Sequence, residues 1–164
     1  MYIAEFNWGV LKADWEDPLV AEFVDNLDRV EAIADRFPGF IWRLPPEEME
    51  RQQTGQNSPI DWADNVRVAS TLSVWDSIDA LKAYVYKGVH GQFFDKGGQW
   101  FNGVEGWPRL VLWNVDVNER PSVAEAVVRL KYLKENGPTD FAFDFSSANS
   151  YLLAKASGQE KDED

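Results

Sequence analysis

From Tyr2 to Val10, positions alternate between two sides of an extended chain. Tyr2, Ala4, Phe6 and Trp8 fall on one side, and Ile3, Glu5 and Asn7 on the other. A period of two predicts a strand. Asp17-Pro18 then opens a helix: Asp17 can cap it, and proline at the first helical position loses no hydrogen bond. Leu19, Phe23, Leu27, Val30, Ala34 and Phe37 follow at helical spacing as one apolar stripe, and Pro38-Gly39 ends the helix. Phe40 to Leu44 reads as a short strand stopped by Pro45-Pro46. The polar stretch Glu47 to Trp62 reads as a long loop, either a lid or binding loop or a disordered connection.

A third strand is predicted over Val66 to Trp75. Val66, Val68, Leu72 and Val74 share one face with Ser70, and Arg67, Ala69, Thr71, Ser73 and Trp75 share the other. Asp76 can cap a helix with the stripe Ile78, Leu81 and Val85, which Gly88 breaks. A second helical piece around His90 to Phe101 is weakened by Gly97-Gly98. The fourth strand, Leu110 to Val117, puts Val111, Trp113, Val115 and Val117 on one face. Ser122-Val123-Ala124-Glu125 is a capping-box pattern, opening a helix that presents Val123, Val127, Leu130 and Leu133 before Asn136-Gly137-Pro138. Phe141 to Phe145 suits a small edge strand. A single domain over residues 1–154 results, with its C-terminal helix and edge strand in 121–145. Residues 155–164 are expected to form a disordered acidic tail.

The order strand, helix, strand, strand, helix, strand is the split βαβ of an α+β ferredoxin-like fold. It predicts a four-stranded antiparallel sheet with helices on one face. The other face would hold Ile3, Glu5, Asn7, Ile41, Arg43, Ala69, Thr71, Leu110, Leu112 and Asn114. That mixture is too apolar for water, and a homodimer would cover it.

Composition narrows the function classes. The chain has 164 residues, enough for one domain with a full core. Lys and Arg total 16 against 28 acidic residues, a net charge of -12, with no basic run to displace phosphate counterions. Nucleic acid and anionic membrane surfaces are thereby excluded as expected partners. There is no cysteine, so no disulfide and no thiolate metal site, and no metal is expected. Neither a signal-peptide pattern nor an apolar run of about 20 residues is present, and a cytoplasmic location is expected. Eight tryptophans imply that large aromatic side chains carry much of the core, with N–H groups that need partners.

Three blocks carry a family resemblance: Asn26 to Leu44 (NLDRVEAIADRFPGFIWRL), Leu72 to Phe101, and Pro121 to Phe145 (PSVAEAVVRLKYLKENGPTDFAFDF). Together they resemble an uncharacterised bacterial domain-of-unknown-function family of the dimeric α/β-barrel superfamily, which also holds the antibiotic-biosynthesis monooxygenases. The resemblance implies a ferredoxin-like protomer and a homodimer whose two sheets form a barrel. It implies no established activity. Members carry an arginine-rich run before the Trp-Phe pair, whereas this chain has Lys96-Gly97-Gly98-Gln99. Monooxygenases of the superfamily act on electron-rich aromatics between sheet and helices without metal or flavin, and more distant relatives bind haem through a histidine.

His90, the only histidine, is the leading catalytic candidate. It suits a structural hydrogen bond, an axial haem ligand, or a general acid or base. Trp8, Trp42, Trp75, Tyr84, Phe94 and Trp100 could line an apolar pocket, or simply pack the core. Arg43 and Asn114 stand at strand positions that could reach it, and Arg43 is expected to pair with Glu5. No GxSxG, Walker or GxGxxG pattern occurs. The leading expectation is a site for a small apolar or aromatic ligand between sheet and helices, with monooxygenase-like oxidoreductase chemistry and no cofactor. The alternatives are a haem-binding enzyme using His90 and a non-catalytic ligand-binding or structural homodimer.

Overall fold

The computed structural model describes residues 1–53, 66–87, 91 and 96–152. Strand β1 (Tyr2–Leu11) lies at the centre of an antiparallel sheet. It pairs with β3 (Val68–Trp75) on one side and β5 (Leu110–Val115) on the other. Strand β2 (Phe40–Arg43) lies outside β3. The order β2-β3-β1-β5 is the ferredoxin-like α+β arrangement that the element order predicts. A fifth strand, β4 (Phe101–Asn102), pairs with Val10 and Leu11 at the end of β1. The edge strand expected over Phe141 to Phe145 reduces to one bridge, in which Phe143 and Leu112 exchange backbone hydrogen bonds of 2.8 and 2.9 Å.

Local chemistry fixes the helix ends. The Asp17 carboxylate accepts the Leu19 N–H at 2.8 Å, but the turn it caps is a 3-10 turn, Pro18–Val20. Helix α1 (Ala21–Asp35) begins after it, and Leu19 is 57% exposed rather than part of the apolar stripe. Helix α3 (Ile78–Tyr86) is capped by Ser77, whose hydroxyl accepts the Ala80 N–H at 3.1 Å, and not by Asp76. Helix α4 (Val123–Asn136) is capped by Ser122 through the Glu125 N–H at 3.1 Å, as its capping pattern predicts. A short α5 (Ala148–Tyr151) follows, and residues 96–100 are helical.

The expected loop after Pro45 is partly a helix, α2 (Pro46–Gln53). Pro46 starts it, Glu47 and Glu48 meet the positive end of the helix dipole, and Met49 and Gln53 are buried one turn apart. A stripe of two residues is too short to register against so polar a background. The rest of that loop, residues 54–62, lies outside the described residues.

The faces of the sheet are covered differently from expectation. Ala4, Phe6, Trp8, Leu72, Val74, Val111, Trp113 and Val115 pack against α4, through Val123, Ala126, Val127, Leu130 and Leu133, and against Met49 of α2. On the mixed face, Ile3, Trp75 and Leu112 pack against Ile78, Leu81 and Val85 of α3, with Phe143 and Ala148. Helices of the same chain therefore lie on both faces. The face expected to await a partner subunit is covered by α3, with α1 beside it. Alternation identifies which residues share a face, but not which helix arrives there. Helix α4, which follows the split βαβ unit, takes the more apolar side. A smaller cluster of Leu11, Ala13, Val20 and Trp100 closes one end. Among the described residues, no helix is long and apolar enough to cross a membrane.

Candidate functional site

The centre of the mixed face carries a buried acid. Glu5 is 6% exposed, and its carboxylate accepts Asn7 Nδ2 at 2.5 Å and Ser73 Oγ at 3.1 Å. Ser73 Oγ in turn accepts the Trp75 indole N–H at 3.0 Å, and Asn7 Nδ2 also donates to Thr71 Oγ1 at 2.6 Å. Strand register brings these groups together: Glu5 lies opposite Ser73, and Asn7 opposite Thr71. Side chains two residues apart share a face, so the four form one polar block on the two central strands. Burial pushes the Glu5 carboxyl up to about 7, against the opposing effect of the hydrogen bonds from Asn7 and Ser73. Near neutral pH the group is thus present both as acid and as base.

Aromatic side chains flank the block. Tyr84 stacks on Trp75 with ring centroids 5.1 Å apart and meets Phe37 edge-on at 5.5 Å. Its hydroxyl donates to the Val30 carbonyl at 3.4 Å. Burial first, and then the charge of Glu5, raise the Tyr84 phenol above its ordinary range. The hydroxyl is therefore a donor at any physiological pH.

Arg43 does not pair with Glu5. It bridges to Glu31 at 3.2 Å and Asp35 at 3.1 Å, both on α1. On the edge strand its long side chain reaches carboxylates that keep contact with water. Pairing with the deeply buried Glu5 would require desolvating the guanidinium as well. Burial pushes the Glu31 carboxyl up, and the Arg43 charge opposes that shift.

Helix α1 closes loosely over this face. Only Ala34 of the helix is buried, while Phe23, Leu27 and Val30 are half-buried. Phe23 packs on Phe101 and Trp100. Helical spacing from Phe23 to Ala34 places Leu27 and Val30 on the same inward side. On the mixed face of the sheet Asn7, Ala69, Thr71 and Leu110 are half-buried too. Their neighbours on the other face, Phe6, Leu72 and Val111, are completely buried. This side of the sheet is thus a half-buried layer, less completely covered than the α4 side.

The sequence-predicted residues divide between several places. Trp75, Tyr84 and Arg43 surround the layer. Trp8 and Trp42 belong to the opposite core, where Trp8 Nε1 donates to the Pro108 carbonyl at 3.0 Å. Trp100 is in the end cluster with Phe23. Asn114 Nδ2 donates to the Tyr151 carbonyl at 2.8 Å, holding α5 on β5. His90 and Phe94, and with them the haem ligand and general-base roles considered for His90, lie outside the described residues. Strand alternation puts Glu5, Asn7 and Thr71 on one face, but sequence reasoning assigned Glu5 no role beyond pairing with Arg43 and did not join it to Ser73. The available signal was a charged residue directly after two apolar positions in an alternating strand. A shallow surface depression along β2, lined by Ile41, Trp42, Pro45 and Pro46, is a separate feature at the sheet edge. Among the described residues, no group of three or more His, Cys, Asp or Glu side chains could hold a metal ion.

Comparison with known proteins agrees with an uncharacterised family. The family described as "Domain of unknown function (DUF3291)" matches residues 2–158, and the chain belongs to it. No curated protein matches the sequence. Among solved structures, the NE2512 protein of unknown function from Nitrosomonas europaea is 11% identical with a TM-score of 0.47, covering 74% of this chain and 95% of its own. The protein YJCS is 19% identical with a TM-score of 0.43, covering 71% and 100%. A proposed antibiotic biosynthesis monooxygenase from Chloroflexus aurantiacus J-10-fl is 12% identical with a TM-score of 0.44, covering 74% and 99%.

Proposed function

We propose that this member of a family of unknown function binds a small apolar or aromatic molecule between the sheet and α1, and acts on it as a monooxygenase-like oxidoreductase. The observation that supports this is Glu5: a buried carboxyl with a pKa of about 7, in the half-buried layer on the mixed face. A buried acid perturbed in this way, beside half-buried polar and apolar side chains, is a reason to suspect a ligand. Oε1 accepts from Asn7 and Oε2 from Ser73, and each oxygen retains a further lone pair for a substrate proton.

The chemistry follows from that proton. An electron-rich arene with an activated CH2 loses one proton to Glu5. The resulting anion supplies electrons to dioxygen. One oxygen atom ends as the new carbonyl and the other as water, so CH2 plus O2 gives C=O plus H2O. The substrate carbon supplies all four electrons that reduce dioxygen, and both CH2 protons, one of them by way of Glu5, leave in the water.

Anthrone tests the proposal. Wild-type protein is expected to accelerate oxygen uptake with anthrone, and Glu5→Gln to bind it with little turnover. Equal oxygen uptake by both proteins would refute the role of Glu5. Binding without uptake in either would leave a ligand-binding protein. A Soret band on adding haemin, lost in His90→Ala, would put the haem reading in place of this one.

The proposal includes a homodimer. Because helices of the chain lie on both faces of the sheet, two copies would meet through outer surfaces. Light scattering at micromolar concentration checks this: a dimer has twice the 18.7 kDa mass of the chain.

A further inference from the structure

An indole N–H can only donate a hydrogen bond, and an ionised carboxylate can only accept one. Ser73 Oγ stands between one of each, 3.0 Å from Trp75 Nε1 and 3.1 Å from Glu5 Oε2. Its single hydrogen therefore has one assignment: Ser73 accepts from the indole and donates to Glu5. Trp75 is 1% exposed, and its ring is packed by Tyr84, stacked at 5.1 Å, and by Phe40, edge-on at 5.5 Å. That packing fixes where the indole N–H points, and the direction of the Ser73 hydroxyl follows. Ser73 is itself buried and lies opposite Glu5 in the β1–β3 register. Asn7 Nδ2, also a donor, meets the other carboxylate oxygen at 2.5 Å. Donors on both oxygens favour the ionised carboxylate, against the burial that favours the acid.

We infer that Ser73 is a positioning residue for Glu5 and that Trp75 sets its direction: the indole turns the serine hydroxyl toward Glu5 Oε2, which orients the carboxylate and favours its proton-accepting form. This rests on the proposed role of Glu5 as a base and adds the residues that prepare it. Other titratable groups on the elements packed here are Arg43 of β2 with Glu31 and Asp35 of α1, and the Tyr84 phenol of α3, which feels the charge of Glu5. The variants below leave all four in place.

The Glu5 proton is followed by NMR of protein isotope-labelled at its glutamate carboxyls, the Glu5 signal being the one absent from Glu5→Gln. Ser73→Ala should raise the midpoint of that titration by about one pH unit, the worth of a hydrogen bond to a charged group. Ser73→Thr, which keeps the hydroxyl, should restore it. Trp75→Phe keeps a ring but not the N–H and should raise the midpoint by less. Added to Ser73→Ala it should change nothing more, since Trp75 acts through Ser73. Oxygen uptake with anthrone should follow: at the wild-type midpoint Ser73→Ala retains about a fifth of the rate, and it recovers as pH rises through the new midpoint. Circular dichroism reports folding, and should Ser73→Ala not fold, Trp75→Phe decides. An unmoved midpoint in the deciding variant overturns the inference. A shift that Ser73→Thr does not reverse overturns it too, and assigns the effect to packing. Additive shifts in the double variant overturn the part given to Trp75. A shifted and rescued midpoint with no anthrone oxidation by any of the proteins removes the base role of Glu5 and leaves the hydrogen-bond relay standing.

Discussion

The side-chain carbonyl of Gln52 accepts the backbone N–H of Val123 at 2.9 Å. The first turn of α4 therefore receives one partner from Ser122 and another from a helix some seventy residues earlier in the chain. Gln52 is itself held by Glu48, to which its Nε2 donates at 2.8 Å. Removing the side chain in Gln52→Ala leaves a helix N-terminal donor without its protein acceptor. Stability in urea should fall by about 1 kcal/mol. An unchanged midpoint would mean that water replaces the glutamine without loss.

Glu5 makes the fold sensitive to pH in a defined direction. Its folded pKa, about 7, stands above the ordinary 4.5. The folded state holds this proton more tightly than the unfolded chain does. The stability contribution is complete below pH 4.5 and is lost as pH rises through about 7. At about 1.4 kcal/mol per pH unit, the loss approaches roughly 3 kcal/mol. Glu5→Gln, which never ionises, should flatten this part of the profile. Denaturant melts at pH 4.5, 6 and 8 measure it, and parallel curves for both proteins would exclude Glu5 as the cause.

Gly39 occupies a backbone conformation with φ of +91°, between α1 and β2. A Cβ there would overlap the Ala80 Cβ and lie 2.6 Å from Asp76 Oδ1. The Gly39 carbonyl also accepts the Asp76 N–H at 2.8 Å, so the turn cannot move away freely. Gly39→Ala combines an unfavourable φ with overpacking and should destabilise the protein by about 2–4 kcal/mol. Thermal unfolding reads this directly. A shift of less than a degree would show that the turn relaxes.

Arg43 joins β2 to α1 through two carboxylates. Arg43→Met keeps much of the packing of the stem but leaves Glu31 and Asp35 facing each other uncompensated. A loss of about 1–2 kcal/mol at pH 7 is expected, between the values for exposed and buried pairs. The loss should shrink at low pH, as the Glu31 carboxyl, which burial holds above its ordinary range, takes up its proton. A deficit of equal size at both pH values would assign it to packing instead.

Much of the fold was legible because strand periodicity is local. The alternation of Tyr2, Ala4, Phe6 and Trp8, the Ser122 cap and the stripe Ile78, Leu81, Val85 each stand where the spacing predicts. The coverage of the faces was not legible, since no spacing within a strand says which distant helix will land on it. The polar block was half legible: Glu5 and Asn7 are neighbours in sequence, but Ser73 and Thr71 join them only through the β1–β3 register. The partner of Arg43 was misjudged because desolvation depends on depth, which a one-dimensional pattern does not carry.

The sheet works as a bulkhead between two compartments. On the α4 side, the tightly filled compartment carries the mechanical integrity of the molecule. On the α1 side Leu27, Val30 and Leu110 are only half-buried, so gain or loss of a methyl group there disturbs less packing. Substitutions should therefore be tolerated more readily on that side of the sheet than on the α4 side.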